Sequence, residues 1–179
     1  MKKLIFIFLI ILSSNIIAKS DFYINSSTGI NLAYPKAPLN RMWGLSYTLG
    51  LGFGYNLSND ISAEILYQYN KHALDAFYRE GGGIFYFINS YFIKLNYKLT
   101  NFSDWHLFIS IGIGLSNLEI AKERSNNVVS FFPGIGFKYA LSDKFAIKFF
   151  SELAVIDKKI LADEKFKCLP IQLGIEYKF

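Results

Sequence analysis

Apolar and polar residues alternate with a period of two along most of the chain after residue 20. The clearest stretch runs from Trp43 to Leu57, where every odd position is a large apolar residue and the even positions are glycine, serine, threonine or asparagine. Such alternation places one class of residue on each face of a β-strand, whereas a helix would spread both classes around its surface. The pattern therefore predicts a strand here.

The same pattern recurs in eight segments, which are the predicted strands. They cover residues 22–34, 43–57, 60–70, 84–99, 104–120, 127–141, 144–156 and 166–179. The connections alternate in length: 58–59, 100–103 and 142–143 are short, whereas 35–42, 71–83, 121–126 and 157–165 are longer and hold most of the charges outside the strands. This arrangement predicts an all-β fold, an eight-stranded antiparallel up-and-down β-barrel with its short turns at one end.

The first twenty residues have the layout of a secretory signal peptide. Lys2 and Lys3 precede an unbroken apolar run at 4–12, and the small residues Ala18 and Ser20 offer cleavage sites. The run is well short of the roughly 20 residues that a membrane-spanning helix needs. We expect residues 1–20 to be a signal peptide and residues 21–179 to be the barrel domain of an exported protein.

Composition excludes several classes of function. Three of the 19 lysines and arginines lie in the first twenty residues, which leaves 16 against 14 acidic residues and gives no reason to expect a nucleic-acid partner. One cysteine and two histidines provide neither a disulfide framework nor a Cys₂His₂ or His₃ zinc site from one copy of the chain. No metal and no cofactor is expected.

Side-chain volume decides which face of the barrel meets water. A secreted lipocalin-like barrel turns its apolar side chains inward, whereas an outer-membrane barrel turns them toward lipid. The interior of eight strands is just wide enough to be filled by side chains, and the apolar class here is bulky while the other class is rich in glycine. We therefore expect the apolar face to point outward, into a membrane, and the interior to be small or polar.

The positions of the aromatic residues favour the same choice, because membrane barrels carry aromatic belts at both interfaces. Aromatic residues lie beside the short turns and near the long connections: Tyr55, Tyr97, Trp105, Tyr139, Phe145, Tyr177 and Phe179 in the first group, and Trp43, Tyr67, Tyr69 and Phe131 in the second.

Charged residues on the polar face are predicted to fill the lumen and neutralise one another, since an unpaired buried charge is costly. Counting through the 142–143 turn places Lys138 opposite Lys148, and Glu176 falls near Lys148 on the other side. The predicted interior charges are Glu64, Lys94, Lys98, Lys138, Lys148, Glu152, Glu176 and Lys178. They predict a plugged barrel without a stable diffusion channel.

The C-terminal segment 172–179 carries a polar residue, a glycine two positions later and a terminal phenylalanine. Together with the strand pattern and the signal peptide, it resembles the small eight-stranded outer-membrane barrels of Gram-negative bacteria, the superfamily of the OmpA transmembrane domain and the opacity-type surface proteins. In that family the last strand is read by the barrel-assembly machinery. The resemblance implies an assembly signal formed by Gln172, Gly174, Tyr177 and Phe179, and no peptidoglycan-binding domain is expected after it.

The resulting expectation is a non-enzymatic, monomeric protein of the Gram-negative outer membrane that exposes four loops at the cell surface. Its expected partners are outer-membrane lipid and lipopolysaccharide, the assembly machinery, and a host surface as a further candidate. Two alternatives stay open: a lipid A-modifying enzyme and a secreted ligand-binding barrel. Neither His72 nor His106 begins the His-x-Ser element that a deacylase of this type would carry.

Overall fold

The computed structural model describes residues 21–33, 46–74, 84–120, 123–124, 127–159 and 165–179, and their regular structure is β throughout. The strands are β1 Phe22–Ala33, β2 Tyr47–Asn56, β3 Ile61–Leu74, β4 Ile84–Phe102, β5 Trp105–Ile120, β6 Glu123–Arg124, β7 Val128–Phe131, β8 Gly134–Ala140, β9 Phe145–Glu152, β10 Ala154–Lys159 and β11 Lys165–Lys178. The predicted signal peptide and Trp43 lie outside the described residues. No helix in these ranges is long and apolar enough to cross a membrane.

Ten of the eleven segments form eight barrel strands, because two of those strands are each interrupted once. β7 and β8 keep one register against β5, and β9 and β10 keep one register against β11 up to Ile156. At the interruption, the Leu153 N–H donates to the Pro133 carbonyl at 2.8 Å. Proline has no N–H to return, so one ladder hydrogen bond is missing there. β6 is a two-residue addition paired with the end of β5.

Neighbouring strands pair antiparallel, and β1 pairs with β11, which closes the sheet into a barrel. Following paired residues from Tyr23 once around the barrel leads back to β1 at Ala33, ten residues further along. A shift of this size over eight strands corresponds to a strand tilt of about 40°. Rows of paired residues therefore climb along the barrel as they pass from β1 to β11.

The three short turns lie at one end of the barrel, which we call the short-turn end; the opposite end is the long-connection end. The Ser58 and Ser142 hydroxyls accept the backbone N–H groups of Ile61 and Phe145, each at 3.1 Å, as expected for serine in a turn. The third turn contains Ser103, whose φ of 56° lies in the left-handed region.

Several predicted strand boundaries were wrong, mostly because hairpins extend beyond the membrane-like alternation. β4 continues to Phe102 after a bulge between Lys98 and Thr100, so the predicted 100–103 turn is shorter. β3 continues past the predicted end at 70, and its last residue, Leu74, pairs with Ile84. Backbone pairing extends both hairpins at positions where the period-two pattern is weak.

The outer face of the barrel wall is apolar, as the sequence predicted. Outward side chains at mid-strand are apolar and exposed, including Leu51, Ile65 and Ile111, each more than 60% exposed. Aromatic side chains pair at the short-turn end, where the Trp105 and Tyr139 ring centroids are 4.7 Å apart and those of Phe145 and Tyr177 are 4.9 Å apart. An apolar wall of this kind matches a lipid surrounding.

The prediction that the interior is small or polar was only partly right. Eight inward or core side chains form a buried cluster that we call the apolar layer: Leu66, Ile88, Phe92, Leu118, Phe132, Ala154, Ile156 and Cys168. Room for the rings comes from Gly112, because a Cβ there would lie 3.1 Å from Phe92 and 3.2 Å from Phe132, whose rings stack at 4.0 Å. Inward glycine therefore accommodates an aromatic neighbour as well as a polar lumen.

Candidate functional site in the barrel interior

Glu64 in β3 lies at the centre of a buried ion-pair network. Its carboxylate is 3.0 Å from the Lys94 Nζ of β4 and 2.7 Å from the Lys148 Nζ of β9. The Tyr23 hydroxyl of β1 donates a hydrogen bond to the same carboxylate at 2.7 Å. Glu64 is 1% exposed, so these partners replace the water that a carboxylate would otherwise require.

The network extends from Glu64 in two directions. Lys94 also contacts Glu152 at 2.8 Å, and Lys148 also contacts Glu176 at 2.7 Å. Lys138 pairs with the same Glu176 carboxylate. Three lysines and three glutamates therefore alternate along one path, which joins β3, β4, β8, β9 and β11 and carries no net formal charge.

The local sequence explains why Tyr23 reaches Glu64. Tyr23 pairs with Gly54 in β2, and Gly54 pairs with Glu64 in β3. A Cβ at position 54 would overlap the Tyr23 ring, so glycine lets the ring lie across β2. The ring also lies 5.0 Å from the Lys148 Nζ, which adds a cation–π contact to the ion pairs.

The predicted register through the 142–143 turn is found in the structure. Lys138 pairs directly with Lys148 across β8 and β9, and Glu176 contacts both lysines. Like charges opposite each other on neighbouring strands are destabilising, and the Glu176 carboxylate offsets that repulsion.

Two of the predicted interior charges lie apart from the network. Lys98 pairs with Asp60 at 2.9 Å and Lys178 pairs with Asp21 at 3.4 Å, both at the rim of the short-turn end. The carboxylates of these pairs are more than half exposed, so each pair contributes little to stability.

A cavity of about 720 Å³ opens at the short-turn end. We call it the chamber. Its wall includes Lys98, His106 and Lys178, and it reaches Lys138, Lys148 and Glu176 of the network. Water and small ions therefore have access to one end of the charged path.

Beyond the network, polar side chains are hydrogen-bonded to one another. Asn31 donates to Asn70, Ser27 donates to Gln172, and Ser90 bonds Ser116, each at 2.8 Å. Together with the apolar layer, these pairs occupy the half of the lumen nearer the long-connection end.

The residues assigned by resemblance to the assembly signal all lie on or just after β11. Gln172 and Gly174 face the interior, where Gln172 is buried and accepts the Ser27 hydroxyl. Tyr177 lies beside Phe145, and Phe179 makes an edge-on contact with Tyr177 at 5.5 Å between ring centroids. Their placement gives each a structural role, and an assembly role stays a prediction.

Sequence reasoning missed Tyr23, Asp21 and Asp60 as partners of the interior charges. Tyr23 shares its inward face with Asn25 and Ser27, so strand parity was the available signal. Cys168 is fully buried in the apolar layer. Within the described ranges, no group of three or more histidine, cysteine and carboxylate residues could hold a metal ion. The His72 side chain lies outside the described part of the chain.

A closed antiparallel barrel with an apolar outer wall and paired interior charges is the architecture of outer-membrane barrels. The sequence profile described as an outer membrane protein β-barrel domain matches residues 4–179. The chain belongs to this family. Membership confirms the predicted fold class and places the protein in the outer membrane of a Gram-negative bacterium.

Two solved structures illustrate the likeness. Neisserial surface protein A (NspA) superposes with a TM-score of 0.71 at 13% identity, covering 89% of this chain and 98% of its own. Ail, the attachment invasion locus protein of Yersinia pestis in complex with the heparin analogue sucrose octasulfate, gives a TM-score of 0.60 at 14% identity, covering 88% and 97%. At these identities the likeness shows the fold. No curated protein sequence is similar enough to count as a match.

Proposed function

We propose that this family member is a non-enzymatic surface protein whose closed barrel holds four connections at the outside of the cell. The observation that carries the proposal is the neutral ion-pair network across the lumen. Its carboxylates and ammonium groups are used on one another: Glu64, Lys94, Glu152 and Glu176 are each less than 5% exposed. Buried groups paired in this way bind one another across the barrel, which supports a structural role for them.

The proposed orientation puts the short-turn end in the periplasm and the long connections outside the cell. Support comes from the lengths of the connections, since membrane barrels have short periplasmic turns and longer outer loops. β1 and the end of β11 meet at the short-turn end, where the Phe179 N–H donates to the Phe22 carbonyl at 3.2 Å. The partners proposed for the protein are lipid and lipopolysaccharide at the wall, the assembly machinery during biogenesis, and a host surface at the connections.

Epitope tags test the orientation. A tag at Lys158-Lys159 should be labelled by antibody on intact cells, and a tag at Ser142-Asp143 should be labelled only after the outer membrane is permeabilised. Both tagged proteins must show the heat-modifiable band of a folded barrel. Labelling of intact cells at 142–143 and not at 158–159 would overturn the orientation.

A host-surface role is tested separately with the untagged protein. Cells that express it should bind a sulfated polysaccharide or host-cell layer more than cells carrying the same barrel with the long connections shortened. The Ail complex with a heparin analogue makes a sulfated polysaccharide a reasonable first probe. Equal binding by both strains would remove the host-surface partner and leave the barrel's structural role.

A further inference from the structure

The lumen contains two clusters of side chains of different chemistry, the ion-pair network and the apolar layer. The ion-pair network begins beside the chamber at Lys138 and Glu176 and ends at Glu152. Phe132 shares a row of paired residues with Lys94 through Gly112, but it lies two strands further round the barrel. Because rows climb from β1 to β11, Phe132 lies nearer the long-connection end than Lys94 does.

Leu66 and Phe92 lie only one inward position beyond Glu64 and Lys94, whereas the other members of the apolar layer lie nearer that end. Ile88 is three inward positions beyond Lys94 on β4, and Leu118 is three inward positions beyond Gly112 on β5. On β10, Ile156 lies one inward position beyond Ala154, which itself follows Glu152. Most of the apolar layer is thus stacked beyond the charged path.

The apolar layer is a cluster of almost completely buried side chains. Phe132, Ile156 and Cys168 are 0% exposed, and Ile88 and Leu118 are 1% exposed. The polar side chains at similar heights, such as Ser116 and Ser130, are also fully buried. Ser116 bonds Ser90, and the Ser130 hydroxyl donates to the Val128 carbonyl, so these hydrogen bonds do not involve the Glu64–Lys148 pair.

We propose that the apolar layer is a second, independent barrier, so that the chamber does not continue through the described part of the lumen to the long-connection end. This inference rests on the proposed closed barrel and deepens it. The charged path stops at the apolar layer, so breaking its ion pairs destabilises the barrel without opening a passage through the lumen. An apolar constriction excludes water and ions because neither can be solvated there.

Cys168 provides a built-in reporter, because it is the only cysteine in the sequence and lies inside the apolar layer. Its thiol reacts with a charged, membrane-impermeant methanethiosulfonate reagent only if water reaches it. The reagent is added to the processed protein refolded in lipid vesicles, and labelling is followed by mass spectrometry. We expect no labelling of the folded protein and complete labelling in denaturant.

Two sets of variants separate the barriers. Glu64→Gln with Lys148→Gln removes an ion pair while keeping the net charge, and it should leave the Cys168 labelling rate within about twofold of the parent rate. Phe132→Ala removes a ring from the apolar layer, and when it is added to the ion-pair variant it should raise that rate about tenfold or more, because both barriers between the chamber and the reporter are then weakened. If Phe132→Ala does not fold, Leu118→Ala is the second variant, with the same expectation.

A reporter in the chamber is the positive control. His106→Cys in a Cys168→Ser background should label rapidly, because His106 lines the chamber. Labelling of Cys168 in the parent, or in the ion-pair variant, would overturn the second barrier. A folded variant that lacks both the ion pair and the apolar-layer ring and still leaves Cys168 unlabelled would overturn it as well, since the layer would then not be what excludes the reagent.

Failure of the inference differs from failure of the proposed function. Steady conductance through the parent protein would refute the closed barrel itself. An absence of parent conductance, combined with Cys168 labelling in the ion-pair variant, would refute the independent barrier and leave the closed barrel standing.

Discussion

Glu176 is the residue on which the paired lysines of the lumen most directly depend. Lys138 and Lys148 face each other across β8 and β9, and Glu176 contacts both. Lys148 keeps Glu64 as a second partner, whereas Glu176 is the partner that the structure gives to Lys138 among the described residues. This carboxylate, with its two lysine partners, therefore contributes more to the free energy of unfolding than an exposed ion pair does.

Glu176→Ala should lower the free energy of unfolding by about 3–5 kcal/mol, the range for breaking a buried pair by removing one partner. Urea unfolding of the refolded protein in lipid vesicles measures the change. Lys178→Ala is the matched control on the same strand, and its pair with Asp21 is exposed, so it should cost less than about 1 kcal/mol. Equal effects of the two substitutions would contradict the buried network.

Residue types and strand parity were enough to predict part of the charged network from the sequence. The pairing of Lys138 with Lys148 follows from the short 142–143 turn, and the position of Glu176 near Lys148 follows from counting back through the 157–165 connection. The structure has both. The Glu64–Lys148 pair joins β3 to β9 across the lumen, and no local pattern encodes a contact between strands so far apart in sequence. The inward rings of the apolar layer were missed for a different reason. Apolar residues were expected on the outward face, although strand parity places these positions on the inward face.

At the scale of the strand, Pro133 is the point where the wall lacks a hydrogen bond. The Leu153 N–H donates to the Pro133 carbonyl at 2.8 Å, and no N–H returns from residue 133. Strand interruptions between β7 and β8 and between β9 and β10 fall at this pair. A missing donor matters more in a membrane wall than in water, since lipid offers no replacement.

Pro133→Val should therefore raise the free energy of unfolding by about 1 kcal/mol, the net value of one restored backbone hydrogen bond. Valine keeps an apolar side chain at this exposed outward position. Ile135→Val is the control, because it changes an outward side chain two residues away and leaves the ladder intact. Unfolding in urea is the measurement, and a Pro133→Val protein no more stable than the parent would show that proline costs the wall nothing.

Deletion of Phe179 tests the last strand as an assembly signal. We expect slow or failed insertion into the outer membrane and degradation of the precursor, with export unchanged. Phe145→Ala removes another ring of the same aromatic group, which contacts Tyr177, and should assemble normally. Pulse-chase fractionation with the heat-modifiable band as readout decides between them. Normal levels of the folded band after deletion would remove Phe179 from the signal.

At the scale of the whole molecule, period-two alternation predicted eight strands, the connection lengths predicted their up-and-down order, and side-chain volume predicted an apolar outer wall. The pairing of β1 with β11 is expected because every strand of a closed barrel has two neighbours. The ten-residue shift depends on the registers of all eight strands together, so no single strand pattern predicts it. That shift determines which side chains share a height in the lumen. Because of the shift, residues on one paired row, such as Lys94 and Phe132, lie at different heights along the barrel axis and belong to different layers.

The closed lumen gives the last prediction, which concerns conduction. An eight-stranded interior is narrow enough for side chains to fill it, and here it holds a neutral ion-pair network followed by the apolar layer. An ion would have to displace paired charges and then enter an apolar constriction, and both steps are costly. The purified protein in planar bilayers should therefore show no stable channel for sugars or nutrients.

The combined variant Glu64→Gln, Lys148→Gln, Phe132→Ala, if it folds, should show more leak than either the ion-pair variant or Phe132→Ala by itself. Large, steady and reproducible conductance from monomers of the parent protein would show that the interior is open.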